Sequence, residues 1–188
     1  MKDLMKDLDL SMEGALKEAL WLADGSVKIL WERARGAAGL LRKKDLTVAV
    51  AESLTGGWVS AALTSIPGIS QFFMAGIVAY ANEAKMDLLG VPALILEQHG
   101  AVSPECAQAM ASGVRLRSGA DIGVATTGVA GPTGGSEEKP VGLMYVSVDD
   151  GENGLTVRRL FSGDRSDVTF ASAEAALEQL EFFLSQKL

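Results

Sequence analysis

The sequence of 188 residues contains one cysteine, Cys106, and one histidine, His99. A lone thiol closes no intrachain disulfide, and one Cys with one His is too little for a multi-cysteine zinc site or a metalloprotease signature. Long apolar runs are also missing: none reaches the roughly eighteen residues of a membrane-spanning helix. The first residues, Met1-Lys2-Asp3-Leu4-Met5-Lys6-Asp7, alternate charged with apolar side chains and lack the hydrophobic centre of a signal peptide. A cytoplasmic protein without a membrane partner is therefore expected. Positive charge is in deficit, with a net charge of −7. That balance disfavours nucleic acid, yet leaves room for a phosphorylated small molecule held by backbone amides.

Hydrophobic residues make up 48% of the chain and charged residues 22%, the balance of an ordinary globular protein. Leu4, Leu8, Leu16, Leu20, Ala23, Val27, Leu30 and Trp31 recur at three- and four-residue intervals, which predicts a helical lead-in over about 4–35. Ser11 and Asp24-Gly25 offer places to divide it. Trp21, Leu22 and Trp31 would expose a sizeable apolar patch if unpacked, so a homo-oligomer contact is expected there. The helix resuming at Gly36 should end near Arg42-Lys43-Lys44-Asp45, where cations suit a helix C-terminus.

Strands are predicted at 46–51, 72–80, 121–126, 142–148 and 155–161, the last two joined as a hairpin by Asp149 to Gly154. Helices are predicted over 55–65, from an Asn82 cap to Leu89, from Ser103-Pro104 to 118, and from an Asp164 cap to near the end. This alternation points to an α/β layered domain with a mixed sheet.

Three segments carry candidate chemistry. In Ala51-Glu52-Ser53-Leu54-Thr55-Gly56-Gly57 a buried strand gives way to a glycine-rich helix start, which sets a serine hydroxyl beside outward-facing amides. Taken alone, Ser53 at such a turn reads more readily as a helix cap than as a nucleophile. Tyr80-Ala81-Asn82-Glu83-Ala84-Lys85 offers Lys or Tyr as a base for serine, although Lys85 by itself reads as a solvated helix residue. The glycine-rich loop 127–140 is too long for an idle loop and matches neither a Walker A nor a dinucleotide fingerprint. Cys106 sits inside a helical pattern as a small core residue, and His99 before Gly100 reads as structural.

Taken in order, Ala51-Glu52-Ser53-x-Thr55-Gly56-Gly57, Tyr80-x-Asn82-Glu83-x-Lys85, Gly100-Ala101-Val102-Ser103, Thr127-Gly128-x-Ala130-Gly131-Pro132, Lys139-Pro140-Val141-Gly142 and Gly163-Asp164-Arg165 resemble the CinA C-terminal domain family. The resemblance covers 27–188 and leaves 1–26 as a lead-in. It implies a three-layer α/β/α sandwich with nicotinamide-nucleotide amidohydrolase activity, converting nicotinamide mononucleotide to nicotinate mononucleotide and ammonia.

By the same resemblance Ser53 is the nucleophile, supported by Tyr80 and Lys85. The amides of Thr55, Gly56 and Gly57 are candidates for the oxyanion. Thr127, Gly128, Gly131, Gly135, Lys139 and Arg165 are expected to hold the nucleotide, and no metal or organic cofactor is implied. Leu54 stands where the family commonly has Cys, a difference expected to concern packing. Many members place a larger domain, linked to metal-dependent pyrophosphatase activity, ahead of this one; that activity is not expected here. A non-catalytic competence or accessory protein of the same fold, or an amidohydrolase for another amide, remains an alternative.

Overall fold

The computed structural model describes residues 26–187. The expected lead-in before residue 26, with Trp21 and Leu22, lies outside them. The described chain opens with helix α1 (Ser26–Lys44), whose last turn carries Arg42, Lys43 and Lys44 as its charge pattern predicts. Leu30, Ala34, Ala37, Ala38 and Leu41 line its buried face. Trp31, expected at an oligomer contact, packs half-buried against this same core.

Strand β1 (Val48–Glu52) follows, then α2 (Trp58–Thr64), a short 3-10 turn, β2 (Phe73–Val78), α3 (Asn82–Leu89), α4 (Ala93–His99) and α5 (Pro104–Ser118). Strands β3 (Ile122–Gly128), β4 (Leu143–Asp149) and β5 (Gly154–Leu160) come next, and α6 (Arg165–Gln186) closes the fold. The five strands form one sheet in the order β2-β1-β3-β4-β5. β2, β1 and β3 are parallel, β4 pairs antiparallel with β3, and β5 pairs antiparallel with β4. The sheet is therefore mixed, with the expected late hairpin.

Strand alternation sorts the core into two layers. Val48, Val50, Ile122, Val124, Met144 and Val146 face α1, α2 and α6. Ala49, Ala51 and Ala125 face α3, α4 and α5. The second face is lined by small residues, and α5 comes very close to it: a Cβ on Gly123 would lie 2.0 Å from the Ala111 carbonyl oxygen. α6 packs along α1, and Arg33 reaches Glu174, Glu178 and Glu181 across that seam.

Local capping chemistry decides most boundaries. Ser103 caps α5 by accepting from the Cys106 amide, with Pro104 in the first turn. Asp164 opens α6 through a capping box with Asp167. One cap is corrected: Ala81, not Asn82, holds the N-cap position of α3, and Asn82 is already inside the helix with no side-chain cap. Helix α4 has no sequence counterpart. It spans seven residues, none fully buried, so it leaves little periodic signal. Among the described residues no helix is long and apolar enough to cross a membrane.

Candidate functional site

The three parallel strands deliver their C-terminal ends to one edge of the sheet, the usual ligand position in α/β folds. Ser53 follows β1, Ala79 and Tyr80 follow β2, and Thr127 and Gly128 end β3. Ala79 and Tyr80, expected in the strand, leave it and turn their carbonyls inward.

Those carbonyls hold Lys85. It sits in the first turn of α3 and is 1% exposed, against the solvated placement its position alone suggests. Its Nζ lies 2.9 Å from Ala79 O, 2.9 Å from Tyr80 O and 3.2 Å from Ser53 Oγ. Burial pushes the amine below the ordinary lysine range, and the Cys106 side chain pulls weakly the other way. Burial likewise pushes the Cys106 thiol up. The arrangement has a chemical consequence. As an ammonium, Lys85 donates to the two carbonyls and to Ser53 Oγ; once deprotonated, it keeps two hydrogens for the carbonyls and turns its lone pair to the Ser53 hydroxyl.

Glu52, one residue before Ser53, is fully buried. Its Oε2 accepts from the amides of Gly57 and Val59 at 2.9 and 3.2 Å. Its Oε1 accepts from the Ser60 amide and hydroxyl at 2.9 and 2.6 Å. A charge in the interior needs such partners, and the start of α2 supplies them. Gly56 and Gly57 adopt φ of 59° and 107°, left-handed values that fold the chain back so the helix can begin there.

This arrangement corrects the oxyanion expectation. Gly56 N–H is spent on Ser53 O and Gly57 N–H on Glu52, so of the three expected amides only Thr55 has no protein acceptor among the described residues. Glu52 is not among the residues expected to serve the site. A charged residue ending an otherwise apolar strand was the available signal.

The remaining expected residues fall into two groups. Arg165, at the start of α6, donates to Gly131 O at 2.8 Å and to the Tyr80 hydroxyl at 2.7 Å. Gly131 follows β3 and Tyr80 follows β2, so the guanidinium spans the end of β1 that lies between them. Both its acceptors are uncharged. The Tyr80 side chain is 58% exposed and meets Arg165; only the Tyr80 backbone carbonyl touches Lys85. Thr127 and Lys139 act as tethers. Thr127 Oγ1 donates to Ala101 O at 2.6 Å and Lys139 Nζ to His99 O at 2.6 Å, which fastens the segment between α4 and α5 to the site.

Gly128 and Gly135 hold places where backbones crowd. A Cβ at Gly128 would stand 2.4 Å from Leu143 O, and one at Gly135 2.8 Å from Val141 N. Leu54 is buried in the core layer facing α1, α2 and α6, away from Lys85. Cys106 is buried in the other layer as a small core residue. His99 ends α4, and its imidazole lies 3.6 Å from Glu105.

Against known proteins, the CinA C-terminal domain profile matches residues 32–184. The chain is 50% identical over 137 residues to a CinA-like protein of Gemmatimonas aurantiaca, covering 73% of this chain and 32% of that one. It is 46% identical over 145 residues to a CinA-like protein of Thermotoga maritima, covering 77% and 35%. The chain thus spans about a third of the length of these curated relatives. Solved structures match it more fully. Competence damage-inducible protein A of Klebsiella pneumoniae superposes with a TM-score of 0.81 at 34% identity, covering 85% of this chain and 99% of that one. A competence/damage inducible protein of Agrobacterium tumefaciens gives 0.80 at 41% identity, covering 84% and 96%.

Proposed function

The chain belongs to the CinA C-terminal domain family, and on that premise we propose that it is an amidohydrolase that removes ammonia from the carboxamide of nicotinamide mononucleotide. The observation that carries this reading is the buried Lys85 amine, held by two carbonyls and aimed at Ser53 Oγ. Serine needs a base to attack an amide, and a lysine whose pKa burial lowers is one of the known ways to provide it.

Ser53 Oγ attacks the carboxamide carbon while its proton passes to Lys85. The oxygen of the tetrahedral intermediate takes the negative charge, with the Thr55 amide as its candidate donor. The C–N bond then breaks, Lys85 returns the proton to the departing nitrogen, and ammonia leaves. A water molecule, deprotonated by the same amine, attacks the ester on Ser53; the C–O bond breaks, Lys85 returns that proton to Ser53 Oγ, and nicotinate mononucleotide leaves.

Tyr80 contributes its carbonyl to Lys85 and its phenol to Arg165. Arg165 suits the ribose phosphate: its guanidinium keeps N–H donors beyond the two used by Gly131 O and the Tyr80 phenol, and those contacts hold it in place for a dianion. Thr127 and Lys139 act by tethering the walls of the site.

The test is ammonia release from nicotinamide mononucleotide by the wild type, Ser53→Ala and Lys85→Ala. Both variants should lose about a thousandfold or more in kcat. A folded wild type that releases no ammonia, or variants that keep their rate, would overturn the proposal and favour another amide or a non-catalytic binding role.

A further inference from the structure

We propose that Glu52 is a positioning residue that holds Ser53 in register with Lys85; this inference rests on Ser53 being the nucleophile. Glu52 and Ser53 are consecutive at the end of β1. Glu52 sends its side chain into the layer of α2, while Ser53 turns toward Lys85 in the layer of α3. The two sides of the nucleophile are therefore anchored separately. Lys85 is fixed by the carbonyls of Ala79 and Tyr80. Ser53 is fixed by the closed loop running from the Glu52 backbone through Ser53 to Gly57 and back through the Glu52 carboxylate.

All four partners of that carboxylate are donors: the amides of Gly57, Val59 and Ser60 and the Ser60 hydroxyl. A carboxylate has about four lone-pair sites, so Glu52 is saturated by them. A glutamine of the same shape has one acceptor oxygen and an NH2 group that would face two of those donors. Stabilising α2 alone would call for a capping Ser, Thr, Asp or Asn beside the helix start. The carboxylate reaches instead from the strand residue next to the nucleophile, across the five-residue turn that carries it. With Glu52 satisfied, Ser53 cannot drift relative to the amine without breaking a buried charged network. Geometry at this tolerance is rate-determining, since a displacement of about 1 Å costs on the order of a hundredfold.

The experiment uses a fluorophosphonate reagent, which phosphonylates activated serines and needs no knowledge of the substrate. It reports two numbers: the fraction of molecules that become labelled at Ser53, and the rate at which they do. With Glu52→Gln the labelled fraction should match the wild type while the rate constant falls by at least about thirtyfold. With nicotinamide mononucleotide, kcat should fall similarly and KM should stay within about twofold. The acidic limb of the pH profile should not move, because the anchors of Lys85 are untouched.

A role in folding alone gives the opposite pattern, a reduced labelled fraction with an unchanged rate, and that result overturns the proposal. If Glu52→Gln does not fold, Ser60→Ala decides, because it removes one donor from Oε1. A rate slowed about threefold or more supports the proposal, and an unchanged rate overturns it. A wild type labelled at Ser53 but inactive on nicotinamide mononucleotide leaves the role of Glu52 standing and sinks only the substrate. A wild type that is not labelled at Ser53 overturns both.

Discussion

Lys85 Nζ lies 3.2 Å from Ser53 Oγ, although the two residues stand 32 positions apart, one just after β1 and the other in the helix that follows β2. The parallel pairing of β1 with β2 brings them together, because Glu52 pairs with Val78 and the chain leaves both strands at the same level. The sign of the resulting pH dependence follows. Burial lowers the lysine pKa, so the neutral amine appears at lower pH than for a solvated lysine. Activity should rise with pH along a single limb set by Lys85, with its midpoint below the ordinary lysine value of 10.5. Lys85→Arg, which stays protonated, should abolish that limb and most of the activity. A pH–rate profile of kcat/KM checks both, and a limb that persists in Lys85→Arg would contradict the assignment.

Tyr80→Phe separates two roles for the phenol. Its hydroxyl meets Arg165 at 2.7 Å, so its loss should be felt in substrate binding. KM is expected to rise about three- to tenfold with kcat changed by less than about tenfold, the pattern of a lost binding contact. Steady-state kinetics decides. A kcat lower by more than about a hundredfold at constant KM would place the phenol in proton transfer instead.

Thr127→Val removes the donor to Ala101 O and leaves a carbonyl beside the site without its partner. The expected loss is about 1–2 kcal/mol of stability, read as a Tm lower by roughly 2–8 °C. Calorimetry of the two proteins measures it. An unchanged Tm would mean that water replaces the hydroxyl at no cost.

Arg115 Nε donates to Asp149 Oδ2 at 2.7 Å, with side chains only 20% and 12% exposed. Arg115→Met strands a largely buried carboxylate and should cost about 2–3 kcal/mol. Adding Asp149→Asn should recover part of that loss, because the unpaired charge disappears. Urea unfolding of the single and double variants tests the order; a double variant less stable than Arg115→Met would refute it.

Glu181 lies across the α1–α6 seam, where burial lifts its carboxyl above the ordinary 4.5 against the pull of Arg33. The folded protein then binds the proton more tightly than the unfolded chain does. Stability from this group is complete below the ordinary value and is lost as pH rises through the raised one. Glu181→Gln should therefore flatten the stability profile above pH 4.5. Melting curves from pH 4 to 7, taken as a rough working range, would show it; an identical slope in the two proteins would not fit.

Legibility in the sequence followed how local the determining chemistry is. Ser103-Pro104 and Asp164 mark their helices because a cap and its partners lie within three residues. The strands read well because their apolar runs are short and β-branched. Asn82 misled because capping needs an extended residue at that point, and Ala81 takes the extended backbone instead. Helix α4 was silent because nothing in it is fully buried. In the site, Ser53, Tyr80 and Lys85 stand out only through the family resemblance of their segments; taken singly they read as a cap and ordinary helix or strand residues. The contact from Arg165 to Tyr80 spans 85 positions and leaves no local trace. The role of Glu52 depends on two left-handed glycines whose conformation only the folded turn reveals.

The antiparallel direction of β4 has a practical consequence. β4 starts at the reactive edge and ends at Asp149, so the tip at 150–153 lies at the far end of the sheet from Ser53. Asp150 is tied to Lys187 and to the amides of Glu152 and Asn153, whereas Gly151 and Glu152 face solvent. An epitope or fluorophore spliced between those two residues would give a handle for immobilising or tracking the protein without disturbing its chemistry.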